Sequence, residues 1–353
     1  MMQIIEKNSP HLRRPNASVV RMMRDVAIAL LPLVIFAIVR HGLTAVWILL
    51  AAVLSMLGTE YIYYQIKDFK NKEKFTLRNK SFTIYNFSIV VSGLIYGLII
   101  PDATPIIIVI IGGVFGVFFA KIIFGGMGQN IFNIAAFARV FIALAFGGAV
   151  AVSQYLPTID GVAGATILGD WVLSPFAQNE HFSLWDMFWG IGLPGTIGET
   201  SVLLILVGGI YLALRRSFDV FVPITYLATV FVLSFAVMLS QDLGLWYPLT
   251  HLFAGGVVFG AVFMATDPIT IPVTRPGRIY FAFGVGVLTF VIRLFGNLPE
   301  GVVFAILIMN MFVPAIDYAK WSKSRFSLPG VLIFAGVVIV TIFAVVVGAN
   351  YVG

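Results

Sequence analysis

The stretch "SGLIYGLIIPDATP", residues 92–105, is a glycine-containing apolar run that stops at an Asp, a Thr and a Pro, and its pattern recurs as "GVVFGAVFMATDPITIP" at 256–272. The residues after each stretch also correspond. Another apolar helix comes next, closed by a basic residue and Phe-Gly in "AKIIFGG" (120–126) and "VIRLFGN" (291–297). Then comes a glycine-containing helix with an asparagine inside it, "GMGQNIFNIAAFAR" (126–139) and "EGVVFAILIMNMFVPAID" (300–317). Order and composition agree at an offset of about 165 to 177 residues, which reads as an internal duplication. Each copy spans five apolar helices. An odd number turns the second copy over in the membrane relative to the first, the inverted-repeat arrangement of many transporter folds.

Composition sets the class within which this duplication is read. The 353 residues are 60% hydrophobic and only 11% charged, with a mean hydropathy of +1.00, whereas soluble domains carry about a quarter charged residues. The chain is an all-α polytopic membrane protein. It has no cysteine, which excludes disulfides, thiolate metal sites and any iron–sulfur cluster ligated by this chain alone. His11, His41, His181 and His251 are far apart and show no metal-ligand spacing, so no metal site is expected. Redox chemistry would need an organic cofactor. The opening segment "MMQIIEKNSPHLRRPNAS" is polar and basic without a small-residue cleavage site, and reads as a cytoplasmic segment of the mature chain. The sequence pI near 9.5 comes from basic residues in inter-helix loops, where the positive-inside rule explains them and nucleic acid is not implied.

A span takes about 20 apolar residues, or about 17 when the helix is packed among others. Eleven stretches qualify: 24–40, 43–66, 81–100, 104–121, 129–154, 195–214, 219–241, 246–266, 279–295, 300–318 and 328–352. The first is the weakest, because its charge-free run covers only Val26 to Val39; its arginine neighbours are expected to snorkel. Lys7, Arg13, Arg14, Arg21 and Arg24 mark the N-terminus as cytoplasmic, and Lys67 to Lys80 do the same for the loop after the second span. Alternation then puts Lys121, Arg215, Arg216, Arg275, Arg278, Lys320, Lys323 and Arg325 inside, leaving Arg40 and Arg293 outside. From Val140 to Leu214 there is no Lys or Arg, so the loop 155–194 is expected outside. The organisation is therefore a cytoplasmic segment (1–23), a first repeat (24–154), an extracytoplasmic loop (155–194), a second repeat (195–318), and a linker with one additional helix (319–353).

Polar residues within the spans carry two readings each. Gln129, Asn130 and Asn133 follow glycines at 125, 126 and 128. They read either as a discontinuous helix lining a pocket for a planar cofactor or an ion, or as amides gluing helices together. Asn310 recurs at the matching place in the second copy, which favours the pocket. Asp102, Asp267 and Glu300 lie at span ends, where interfacial capping is the plainer reading. Arg139 and Arg293 call for anionic partners, with nearby carboxylates as candidates.

The loop holds "DGVAGAT" (160–166), whose threonine reads on its own as a turn residue, since a hydroxyl is not acidic enough to react unaided. Taken together with "SPHLRRP" (9–15), "GGMGQNIFN" (125–133), "MATDPIT" (264–270) and "EGVVFAILIMN" (300–310), it gives a different picture. Over residues 5 to 320 the chain resembles the D subunits (RnfD) of the Rnf ion-translocating ferredoxin:NAD oxidoreductases. More distantly it is similar to the B subunit of the sodium-translocating NADH:quinone oxidoreductase.

The resemblance implies a urea-transporter-like inverted-repeat fold of ten helices, to which 328–352 is an addition. It implies FMN joined through its phosphate to the hydroxyl of Thr166 by a flavin transferase that recognises Asp160, Gly164, Ala165 and Thr166; Ala163 stands where that motif usually has Ser or Thr. It further implies a second, non-covalent flavin such as riboflavin near Gly126, Gln129, Asn130 and Asn133. The chain would be an electron-carrying subunit in a bacterial or archaeal cytoplasmic membrane, partnered by the other Rnf subunits and catalysing nothing alone. The rival reading is a solute channel or transporter on the same inverted repeats, from which the Gly-Ala-Thr loop sets it apart.

Overall fold

A computed structural model of the protein describes residues 19–70, 83–126, 128–150, 176, 183–190, 195–199, 201–254, 256–296, 301–318 and 325–352. The first half holds α1 (Val19–His41), α2 (Leu43–Lys70), α3 (Ser88–Leu98), α4 (Ile106–Val117), α5 (Ile134–Ala145) and the single turn α6 (Gly147–Val150). After α7 (Leu184–Trp189) come α8 (Val202–Arg215), α9 (Phe221–Ser240), α10 (Trp246–Phe253), α11 (Val257–Phe259), α12 (Arg275–Phe295), α13 (Gly301–Ile316) and α14 (Leu328–Val352). Both α4 and α11 run on into one π-helical turn, Phe118–Ile122 and Gly260–Met264 respectively. The described residues contain no strand; one isolated bridge joins Pro101 to Thr196.

The eleven expected spans each coincide with an apolar helical unit, but not with eleven long helices. Five helices (α1, α2, α9, α12, α14) are long and apolar enough to cross a membrane, and α10 with α11 forms a sixth unit bent by 58°. The other units, among them α3 and α5, are shorter. At 1.5 Å per residue, α3 and α5 are only about 16 to 18 Å long. Within the described residues, the spans expected at 81–100 and 129–154 are therefore built of shorter helical pieces. A separate 3-10 turn, Thr83–Asn86, precedes α3, which is closed before Pro101. Before α5, Gly125, Gly126 and Gly128 take φ values of 111°, 101° and 86°, a region closed to most side chains. Helix therefore begins only at Asn133, whose side chain caps it by accepting from Ala136 N at 3.0 Å. The expected span 246–266 breaks at Ala254, which is extended (φ −80°, ψ 135°).

Glycines let the helices approach closely, the packing that association in lipid relies on. A Cβ on Gly93 would sit 2.7 Å from Val53 Cα, joining α3 to α2; one on Gly116 would sit 2.7 Å from Ala138 Cβ, joining α4 to α5. In the second half, Gly286 of α12 packs with equal closeness on Thr229 of α9. Neighbour relations run in parallel in the two halves. Helix α2 packs on α3 and α4, and α4 on α5; α9 packs on α10 and α12, and α12 on α13. The halves meet where α1 lies against α8 and α5 against α13.

The start of α1 falls at Val19, earlier than residue 24: Arg24 is exposed, and the acidic charge of this segment is satisfied inside the bundle. Asp25 is fully buried; its carboxylate accepts from Ser217 Oγ at 2.7 Å and from Arg215 Nη2 at 3.2 Å. Helix α14 runs parallel to α12. Its Phe334 meets Tyr280 near the start of α12, and its Gly348 lies against Phe295 at the end. Asn350 then accepts from Gln241 Nε2 at 2.6 Å, just past the end of α9. In α7, Ser183 and Asp186 form a capping box, and hydrogen bonds from the Ser183 hydroxyl and N–H hold the Asp186 carboxyl below its usual range.

Candidate functional site: a cleft between interrupted helices

Ending helices inside an apolar bundle leaves carbonyls without partners, and the chain answers with arginine. Arg139, on α5 and 5% exposed, donates Nε to Ile99 O at 2.9 Å, at the C-terminus of α3. Arg293, on α12, donates Nη1 to His251 O at 2.8 Å and Nη2 to Ala254 O at 3.0 Å, at the C-terminus of α10. A guanidinium at a helix C-terminus meets both the orphan carbonyls and the negative end of the dipole. The sequence suggests carboxylate partners for both arginines; these hydrogen bonds go to backbone carbonyls.

A cleft, open at its mouth, lies between α1, α3, α5, α8 and the chain from Val262 to Ile269. Val91, Ile95, Val262 and Phe263 give it apolar walls, and Ser88, Ser92, Lys121, Asn130, Asn133, Thr266 and Asp267 give it polar ones. Asn133 does more than cap α5. Its backbone N–H donates to Asn310 Oδ1 at 3.0 Å, and its Nδ2 donates to Met264 O at 3.3 Å. The asparagines that correspond in the two sequence copies are therefore in direct contact.

Lys121 reads in the sequence as a topological charge at the cytoplasmic end of its span; instead it is buried. Its ammonium lies 2.8 Å from Glu60 Oε1 and donates to Thr83 Oγ1 at 2.6 Å, while Thr83 Oγ1 donates to Glu60 Oε2 at 2.6 Å. Sequence reading misses this triad and misses Asp25, although a glutamate inside the run 43–66 is a signal for the first. Asp267 accepts from Ile269 N at 3.3 Å and from Thr270 Oγ1 at 3.2 Å, a local turn at the cleft wall. Asp102 accepts from His41 Nδ1 at 3.0 Å, beside the α1–α2 hairpin.

Of the pocket residues read from sequence, Asn130 and Asn133 line the cleft. Gly126 and Gln129 are not among its lining residues: Gly126 is buried, its α-carbon packed close to Tyr64 Oη, and Gln129 is exposed. Asp160, Gly164, Ala165 and Thr166 lie outside the described residues, as does Glu300.

Helices that stop inside the bundle, buried arginines on their ends and a cleft where they meet define a polytopic membrane protein of the discontinuous-helix class. More closely, the chain belongs to the NQR2, RnfD, RnfE family, whose model matches residues 5–326. It is 35% identical to the D subunit of the Na(+)-translocating ferredoxin:NAD(+) oxidoreductase complex of Acetobacterium woodii, over 92% of this chain and 95% of that relative. It is 34% identical to the D subunit of the proton-translocating ferredoxin:NAD(+) oxidoreductase complex of Clostridium ljungdahlii, over 88% and 92%. Likeness to the B subunit of the Na(+)-translocating NADH-quinone reductase of Chromohalobacter salexigens is 38% but covers 65% of this chain and 57% of that one. Helix α14 lies beyond the family match.

Proposed function

We propose that this chain is a membrane subunit of an ion-translocating ferredoxin:NAD oxidoreductase complex, carrying FMN on Thr166 as a one-electron relay. The observation that carries the reading is the near end-to-end likeness to two D subunits of such complexes. Thr166 closes the Asp160-x-x-x-Gly164-Ala165-Thr166 pattern that a flavin transferase would recognise. The other subunits of the complex and that transferase are its partners, and the bacterial inner membrane is its place.

The two halves are inverted repeats in this reading, supported by the matching neighbour relations and by Asn133 meeting Asn310 where they touch. The N-terminus is cytoplasmic and the Thr166 loop extracytoplasmic, supported by the distribution of Lys and Arg. The cysteine-free chain makes this testable. Gln178→Cys should react with an impermeant maleimide in intact cells and Asn71→Cys should not; the reverse pattern would invert the topology.

The cleft suits a second flavin held without a covalent bond. When bound, a flavin supplies one- and two-electron transfer. Val91, Ile95, Val262 and Phe263 offer the flat apolar surfaces that an isoalloxazine ring needs. The amides of Asn130 and Asn133 and the hydroxyls of Ser88 and Ser92 offer donors and acceptors for its polar edge. Charge decides which flavin. Among the described residues the one basic side chain lining the cleft is Lys121, already engaged by Glu60 and Thr83, and Asp267 lines the same space. Among the described residues a phosphate dianion finds no uncommitted lysine or arginine there, which favours the neutral riboflavin over FMN. Denaturing the purified protein should release riboflavin into the supernatant while FMN stays with the chain. Intact mass, with and without coexpressed transferase, should differ by one FMN ester. A chain that gains no such mass and releases no flavin would return the reading to a solute channel.

A further inference from the structure

We infer that Asn310 is a positioning residue that sets the spacing of two segments of the cleft wall for the non-covalent flavin; this rests on the riboflavin reading above. Asn310 lies within α13, 1% exposed, and is not itself among the cleft-lining residues. Its amide spans two separate segments. Oδ1 accepts the backbone N–H of Asn133, the residue that starts α5, and Nδ2 donates to Thr270 O, in the loop after α11. Both segments lead into the cleft wall: Asn133, Ile134 and Ala135 line it from the start of α5, and Thr266, Asp267 and Ile269 from the chain before Thr270.

The chemistry of the amide is what the position requires. One atom must accept and the other must donate, 3.0 Å from its partner in each case, and both partners are backbone groups buried where water does not replace them. Leucine has nearly the same volume and satisfies neither. Aspartate keeps the acceptor for Asn133 N–H but turns an oxygen toward Thr270 O, so it holds one segment and repels the other. Asn133 Nδ2 still reaches Met264 O in either variant, which keeps the halves in contact and leaves spacing as the quantity that changes.

Two readouts test this in the cysteine-free chain. The first is riboflavin released on denaturation, per FMN retained on Thr166. Asn310→Leu should lower that ratio at least tenfold with the Thr166-linked FMN intact, and Asn310→Asp should fall between Leu and wild type. The second is independent of flavin: with Ser92→Cys as a reporter on the cleft wall, Asn310→Leu should change its maleimide labelling rate several-fold in flavin-free protein. Labelling that is unchanged by both substitutions overturns the positioning role whatever the flavin content. Wild-type protein that holds no riboflavin while its labelling still responds to Asn310→Leu overturns the riboflavin reading instead and leaves the wall-setting role standing. Loss of Thr166-linked FMN in step with riboflavin means the variant is damaged throughout, and counts against a role confined to the cleft.

Discussion

Thr166→Val is expected to abolish covalent flavin completely, seen as the loss of in-gel flavin fluorescence and of one FMN ester from the intact mass. A phosphoester needs the threonine oxygen, and Thr166 is the only hydroxyl that follows Gly-Ala in the "DGVAGAT" stretch. Valine copies the shape of threonine without the oxygen, so membrane insertion and riboflavin release should not change. Thr166→Ser should keep part of the modification, because a primary hydroxyl can form the same ester. Asp160→Ala should reduce it if that carboxylate belongs to what the transferase reads. Full flavin on Thr166→Val would place the attachment elsewhere, and with it would fall the main distinction between an electron carrier and a channel on the same architecture.

Legibility in the sequence depends on which physical signals are one-dimensional. Apolar length marks every helical unit except the short α7, because burying or lipid-facing side chains have no substitute signal. Recurrence of Gly, Asp, Pro and Asn in one order matches Asn133 with Asn310, and those two residues meet. Helix continuity is legible only where glycines cluster. The runs 81–100 and 129–154 are apolar enough for full spans, but apolarity does not distinguish a helix from a positive-φ turn that is buried in protein; the glycines at 125, 126 and 128 are the only cue. Charge is more ambiguous still. Lys121 counts toward topology as if it faced water, yet its partner Glu60 lies 61 residues upstream on another helix, a pairing no local pattern reveals. Distance in sequence also hides Asp25, whose partners Arg215 and Ser217 come from the far half of the chain.

That hidden triad carries the second large effect, since a charge buried without its partner is costly. Lys121 and Glu60 are each about 2% exposed or less, and Thr83 closes the third side. Removing one member leaves the other uncompensated, which in buried pairs costs about 3–5 kcal/mol, whereas replacing both by apolar groups of similar volume is often neutral or stabilising. Glu60→Ala should therefore lower the Tm of the detergent-solubilised protein by several degrees. Lys121→Met placed on top of it should recover most of that loss, even though the double variant has fewer native interactions than the single one. Thr83→Val alone should be milder, because the ion contact between Lys121 and Glu60 does not pass through the hydroxyl. If the double variant is instead destabilised by the sum of the two single changes, the ammonium and the carboxylate act independently. The triad then does not tie the end of α4 to α2 as a unit, and the cleft wall that Lys121 lines is held by packing, such as that of Gly113 on Ser55 of α2 and Gly116 on Ala138 of α5.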